Sequence, residues 1–167
     1  MTYYSFLPSP IDDLLLLSRD GQITGLFMGE HQHGPGISTE WTRDDSQAVL
    51  TSARKQLEAY FGGELTDFDL PLQMKGSEFQ TMVWEGLKEI PYGETISYGE
   101  LARRLGVPNA SRAVGLANGR NPISIVVPCH RVIGANGKLT GYGGGLPRKQ
   151  TLLELEARTT GVVTSLF

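Results

Sequence analysis

The chain has one cysteine in 167 residues, Cys129, so an internal disulfide is excluded. Only three histidines accompany it (His31, His33 and His130), so a sulfur-rich structural zinc site is excluded too. No metal and no cofactor is expected. Long apolar runs are also missing: the four leucines Leu14 to Leu17 follow directly on Asp12 and Asp13, and no membrane span is expected. The first residues show no basic region leading into an apolar stretch, so no signal peptide is expected and a cytoplasmic protein is the default. What remains is ordinary. An apolar share of 40% suits a packed core, and the length suits one large domain or two small ones.

The net charge of −3 argues against a nucleic-acid partner, but its distribution argues the other way. Residues 1–77 sum to −6 and residues 78–167 to +3. Between residues 97 and 149 the basic side chains Arg103, Arg104, Arg112, Arg120, Arg131, Lys138, Arg148 and Lys149 face a single acid, Glu100. Such asymmetry marks a candidate phosphate-facing surface, against the plainer reading of scattered solvated charges.

Hydrophobic patterning predicts strands at 2–7, 13–18 and 23–28, the last two joined by the hairpin signal Asp20-Gly21. Residues 29–44, with His31 and His33, read as a polar loop. Val49, Leu50, Ala53, Leu57, Tyr60 and Phe61 recur at helical spacing until Gly62-Gly63 stops them. A further short strand is expected at 67–72. This half reads as a small sheet with a helix packed on it, and nothing in it looks catalytic. Residues 71–77 form the expected boundary, giving domains 1–75 and 76–167.

In the second half, Ser77 with Gln80 and Ser97 with Glu100 form two capping boxes, each opening a helix. Gly106 stops the second, and a third carries Ala113, Val114 and Ala117 before closing at Asn118-Gly119. Two short helices joined by a tight turn read as a helix-turn-helix rather than a plain helical hairpin, because arginines lie on both. Asn136-Gly137 predicts a hairpin. Tyr142 to Gly145 is a run of glycines after a tyrosine, where backbone amides can approach a ligand closely. Pro147 fits the start of a last helix bearing Leu152, Leu153, Glu154, Leu155 and Glu156, and a tail is expected from Thr159.

Chemistry concentrates in Val127-Pro128-Cys129-His130-Arg131-Val132-Ile133. The β-branched residues Ile125 to Val127 and Val132-Ile133 predict buried extended chain on both sides, bent at Pro128. A lone cysteine among valines also reads as a small buried hydrophobe. The two bases that follow favour a reactive thiol instead, since both lower a thiol pKa and a histidine also accepts its proton.

Pro-Cys-His-Arg-Val resembles the signature of the O6-alkylguanine-DNA alkyltransferases. The likeness runs from about Ser77 to Glu156, through Ile96-Ser97-Tyr98, Arg112-Ala113-Val114-Gly115, Gly119-Arg120-Asn121-Pro122 and Tyr142 to Leu146. It implies an α+β protein with an N-terminal ribonuclease-H-like domain and a C-terminal winged-helix-like domain. Carried over by motif, Cys129 is the alkyl acceptor, His130 its base through a water, and Glu156 the carboxylate orienting that histidine. Asn121 is the hinge, and Tyr98 assists nucleotide rotation and protonates the departing guanine. Arg112 enters the stack beside Ala110 and Ser111, while Arg103 and Arg104 are expected on phosphates. The pocket is expected from Asn118, Ser124, Val132, Tyr142 and Gly143. In it the carbonyls of Cys129 and Val132 accept from the guanine amino group, and the Gly143 amide donates to O6. Ser124 and Gly143 stand where some relatives carry larger residues, which implies room for substrates larger than methyl. The implied partner is double-stranded DNA containing alkylated guanine, entered from the minor groove by a monomer, with cooperative binding and O4-alkylthymine repair as open expectations. A winged-helix regulator with a structural cysteine, and a Cys-His-Glu hydrolase, are the competing readings.

Overall fold

The structure, a computed structural model, describes residues 1–28, 36–137, 142 and 145–161. Its first half is a four-stranded sheet in the order β3-β2-β1-β4, from β1 (Thr2–Leu7), β2 (Leu14–Arg19), β3 (Gln22–Met28) and β4 (Thr42–Arg43). Asp20 and Gly21 join β2 to β3 with φ of 52° and 75°. Two successive positive φ values are what a two-residue hairpin requires. β4, inside the stretch expected to be a loop, adds a short parallel edge to β1. Helix α1 (Ala48–Phe61) packs on the sheet and buries Leu50, Ala53, Leu57 and Tyr60, a stripe of helical period. The strand expected at 67–72 is reduced to one bridge between Leu72 and Ile23. Pro71 and Gln73 exchange backbone bonds with Ile23 at 2.8 and 2.9 Å, and the rest of the segment has no ladder partner to regularise it.

Helix α2 (Glu78–Leu87) opens the second half with the full capping box expected at Ser77 and Gln80. A short parallel pair follows, β5 (Ile96–Ser97) with β6 (Val132–Ile133). Helices α3 (Tyr98–Arg104) and α4 (Ser111–Gly119) form the helix-turn-helix. The second capping box is only half made. Ser97 accepts from the Glu100 amide, but the Glu100 carboxylate turns to Arg103 and Arg104 one turn on. Helix α5 (Leu146–Thr160) closes the described chain, so the tail expected from Thr159 starts too early. Gly137 makes a turn with φ 81°, and the return strand of the expected hairpin lies outside the described residues, as do His31, His33, Lys138 and Gly143.

One contiguous apolar core serves both halves, from Leu7, Leu14 and Tyr60 to Trp84, Val114, Val127 and Leu152. The open edge of β3 is where they meet. Leu26 donates to the Pro122 carbonyl at 2.9 Å and its own carbonyl accepts from Ser124 at 3.3 Å. The segment leading to Cys129 therefore covers a sheet edge that would otherwise be unpaired.

Candidate active site

Residues 123–127 are not the extended strand that their β-branched side chains suggest. They wind into a turn: Ile125 sits at φ 72°, and the Val126 and Val127 amides bond back to Ser124 and Ile123 at 2.8 and 3.0 Å. A β-branched residue at positive φ is strained and needs surroundings that hold it there. Asn121 supplies part of that hold, with Nδ2 donating to the Val127 carbonyl at 2.7 Å and Oδ1 accepting from the Ile123 amide at 3.0 Å. Asn118, at the end of α4, donates to the Cys129 carbonyl at 3.3 Å. Trp84 fixes the same helix by donating to Ala117 at 2.9 Å. Both asparagines are buried, so each bond also satisfies a group that would be costly to strand.

Cys129, His130 and Arg131 form a single 3₁₀ turn, all three buried. His130 Nε2 lies 2.6 Å from Glu156 Oε2 on α5. An ionised carboxylate only accepts, so this nitrogen carries the hydrogen and Nδ1 is left with a free lone pair. Among the described residues Nδ1 has no hydrogen-bond partner. Burial pushes the imidazole below its usual 6.5, against the pull of Glu156, so His130 is neutral at neutral pH.

Glu156 is fully enclosed by donors. Oε1 accepts from the Gly93 amide at 3.0 Å and Arg131 Nε at 2.9 Å. Oε2 accepts from Arg131 Nη2 at 3.1 Å and from the Tyr60 hydroxyl at 2.6 Å, besides His130. Burial alone would raise its pKa, but His130 and the Arg131 fork outweigh it and hold the carboxyl well below the ordinary carboxylate range. Arg131 also donates to the Ile90 carbonyl at 2.7 Å and lies over the Tyr92 ring.

Here the structure corrects two expectations. Arg131, expected to activate the thiol, is spent on Glu156. The N-terminal half, expected to hold nothing of catalytic interest, sends Tyr60 to the same carboxylate. The cation acting on Cys129 is Lys149, whose side chain is wholly buried and donates to the Val132 carbonyl at 2.6 Å. Burial pushes the Lys149 pKa down to about 8 and the Cys129 thiol up, with Asn121 and Lys149 pulling the thiol the other way. A signal for Lys149 was present: with Leu152, Leu153 and Glu156 it falls at i, i+3, i+4 and i+7, the buried stripe of α5.

The other expected residues divide by environment. Ser124 is fully buried, and Val132 and Tyr142 are buried with it. Tyr142 lies where Cys129 and Ser124 act on its phenol, which burial pushes well above 10. Tyr98 is half-buried at the start of α3, with the Lys149 ammonium 5.9 Å from its ring and Gly115 across from it. The Cys129 carbonyl already accepts from the Asn118 side chain and from the Val132 backbone N–H, and the Val132 carbonyl accepts from Lys149. Ser111 and Arg112 are exposed on the first turn of α4, and Ala110 is half-exposed before it. Arg103 and Arg104 are exposed too, but both pair with Glu100.

Comparison with known proteins bears on both halves. Residues 2–74 match the model of the 6-O-methylguanine DNA methyltransferase ribonuclease-like domain, and residues 78–158 that of the DNA-binding domain of the same proteins. The chain is 56% identical over 167 residues to a methylated-DNA–protein-cysteine methyltransferase of Mycolicibacterium paratuberculosis, covering 100% of this chain and 99% of that one. The crystal structure of Mycobacterium tuberculosis OGT in complex with DNA superposes with a TM-score of 0.87 at 54% identity, covering 94% of each chain. An O6-methylguanine-DNA methyltransferase from the archaeon Pyrococcus kodakaraensis keeps the fold at 27% identity, with a TM-score of 0.66 over 93% of this chain and 99% of that one.

Proposed function

The chain belongs to the 6-O-methylguanine DNA methyltransferase family, and from that premise we propose how its residues divide the work. The protein repairs DNA by removing alkyl groups from guanine O6, and Cys129 keeps the group. The observation that carries this assignment is the orientation of His130: Glu156 holds Nε2, and the lone pair of Nδ1 is left to serve the adjoining thiol.

Guanine O6 is not accessible inside a duplex, so the nucleotide leaves the stack, with Arg112 taking its place and the small residues Ala110 and Ser111 permitting close minor-groove approach. His130 accepts the thiol proton through a bridging water. The thiolate attacks the alkyl carbon, the carbon–O6 bond breaks with its electron pair leaving on the guanine, and Tyr98 supplies the proton that neutralises the base. Because burial raises the thiol pKa, thiolate is scarce at rest and the relay matters. The Lys149 ammonium offsets part of that burial cost. The Cys129 and Val132 carbonyls accept from the guanine amino group, Cys129 in exchange for one of the two donors it already holds. The product is a thioether, and no residue among those described at the site is suited to cleave it, so each molecule acts once.

The remaining assignments rest on the same reading. Residues 1–75 form the ribonuclease-H-like domain and 76–167 the DNA-binding and active-site domain. Ser124 leaves room for groups larger than methyl, and O4-alkylthymine is a second substrate. The protein works in the cytoplasm as a monomer, with cooperative binding on DNA. No helix among the described residues is long and apolar enough to cross a membrane.

Intact-mass measurement after incubation with alkylated and plain duplexes tests the reading. A permanent gain equal to the alkyl group, at one per protein and only with alkylated DNA, is expected. Binding without mass gain would instead fit a regulator with a structural cysteine, and repeated turnover a hydrolase.

A further inference from the structure

We propose that Tyr60, on α1 of the N-terminal half, is a positioning residue of the catalytic relay that sets how strongly Glu156 draws a proton onto His130. The inference deepens the functional reading above and rests on it.

Tyr60 is fully buried and stands 96 residues from its partner, yet its hydroxyl donates to Glu156 Oε2 at 2.6 Å. That is the oxygen facing His130 Nε2, also at 2.6 Å. The phenol and the imidazole therefore share one acceptor. The ring is held for this by packing: Phe61 edge-on at 5.4 Å, Phe68 tilted at 5.5 Å and Tyr92 edge-on at 6.0 Å. Simple burial of a tyrosine requires some partner for its hydroxyl, but a backbone carbonyl would serve equally well. Here the partner is the carboxylate that also holds His130.

The consequence is electrostatic. Donors reach Glu156 from three directions: His130 and Arg131 from the 3₁₀ turn, Tyr60 from α1, and the Gly93 amide. Lys149, beside it on α5, also acts on His130. Each donor to Oε2 lowers the electron density left for the imidazole. The phenol is a fixed neutral donor, since burial and Glu156 hold its pKa well above 10. It thereby limits the basicity of His130 and keeps Nδ1 free of a proton at neutral pH. Removing it leaves Oε2 more negative, which stabilises imidazolium. The His130 pKa then rises, and the base is lost to protonation at a higher pH than in the wild type.

Tyr60→Phe keeps the ring and deletes only the donor. Single-turnover transfer on alkylated duplex, followed across pH, should show the acid limb moving up by roughly half a unit to one unit. Well below the wild-type limb transfer should fall roughly threefold to tenfold, while rates at about pH 8 agree within about twofold. Phe68→Leu, which loosens the same ring but leaves the hydroxyl, should lower thermal stability without moving the limb. If Tyr60→Phe fails to fold, 3-fluorotyrosine placed at position 60 alone makes a stronger donor and should move the limb down. A limb that does not move in whichever of these variants folds, or that moves equally in Phe68→Leu, overturns the inference. Failure of the wild type to take up alkyl groups at all would instead overturn the functional reading on which it stands.

Discussion

Lys149 shows how a residue can be visible in the sequence and still be misread. Counted with the basic surface of residues 97–149, it is instead wholly buried, donating to the Val132 carbonyl and acting on Cys129. Its ammonium is costly to bury, and its pKa falls from 10.5 to about 8. Between those values the unfolded chain binds more protons than the native one, so this group makes native stability rise with pH across the window. Lys149→Met should remove that rise. Urea unfolding at a series of pH values should show wild type gaining on the variant between about 8 and 10.5. Loss of the cation should also slow transfer at neutral pH by roughly tenfold, because the Lys149 charge is one of the groups that favour the thiolate. Equal rates in the two proteins would remove Lys149 from the chemistry. His130 was legible beside Cys129 as a base, but Glu156 only through the family resemblance, because a carboxylate 26 positions away gives no periodic signal. Tyr60 was not legible at all: its spacing in α1 describes a core residue, and the hydroxyl's partner is set by tertiary packing.

At the scale of elements, the local rules held where one segment decides its own structure. The Asp20-Gly21 hairpin, the Ser77–Gln80 capping box and the amphipathic α1 all formed where their residues predict. They failed at residues 123–127, whose β propensity is overridden. Asn121 and the edge of β3 bend that segment into a turn with Ile125 at positive φ, so that Cys129 starts a 3₁₀ turn rather than ending a strand. Such a local conflict is expected at a functional site. The second capping box failed for a different reason, since Glu100 found two arginines one turn away. That pairing sharpens a contrast between the basic residues of α3 and α4. Among the described residues Arg112 forms no ion pair with an acid, and it is exposed at the second position of α4. If it fills the gap left by a flipped nucleotide, Arg112→Ala should lose on the order of tenfold or more in rate on alkylated duplex, yet little on free O6-alkylguanine, which needs no flipping. Arg103→Ala or Arg104→Ala should weaken binding to all DNA alike and lower the salt slope by about one unit at most per contact, less where Glu100 already neutralises the charge. Equal losses for Arg112→Ala on both substrates would move it out of the finger role.

Across the whole molecule, the acidic first half and basic second half are not independent pieces. The core is continuous, the active-site segment covers the β3 edge, and the relay carboxylate takes one of its donors from α1. The charge asymmetry was legible from composition, but Arg131 and Lys149 lie inside and Arg103 and Arg104 pair with Glu100; the internal polar links around the buried thiol were invisible to composition. At the centre of this architecture Cys129 itself is proposed to receive the alkyl group. The direct measurement is peptide mapping of the protein after reaction with a duplex carrying O6-alkylguanine, beside the same experiment on Cys129→Ser. The whole mass gain is expected on the peptide containing Cys129, and none anywhere in a Cys129→Ser protein that still binds the alkylated duplex. Alkyl uptake by that variant, or a label on any other residue of the wild type, would contradict it.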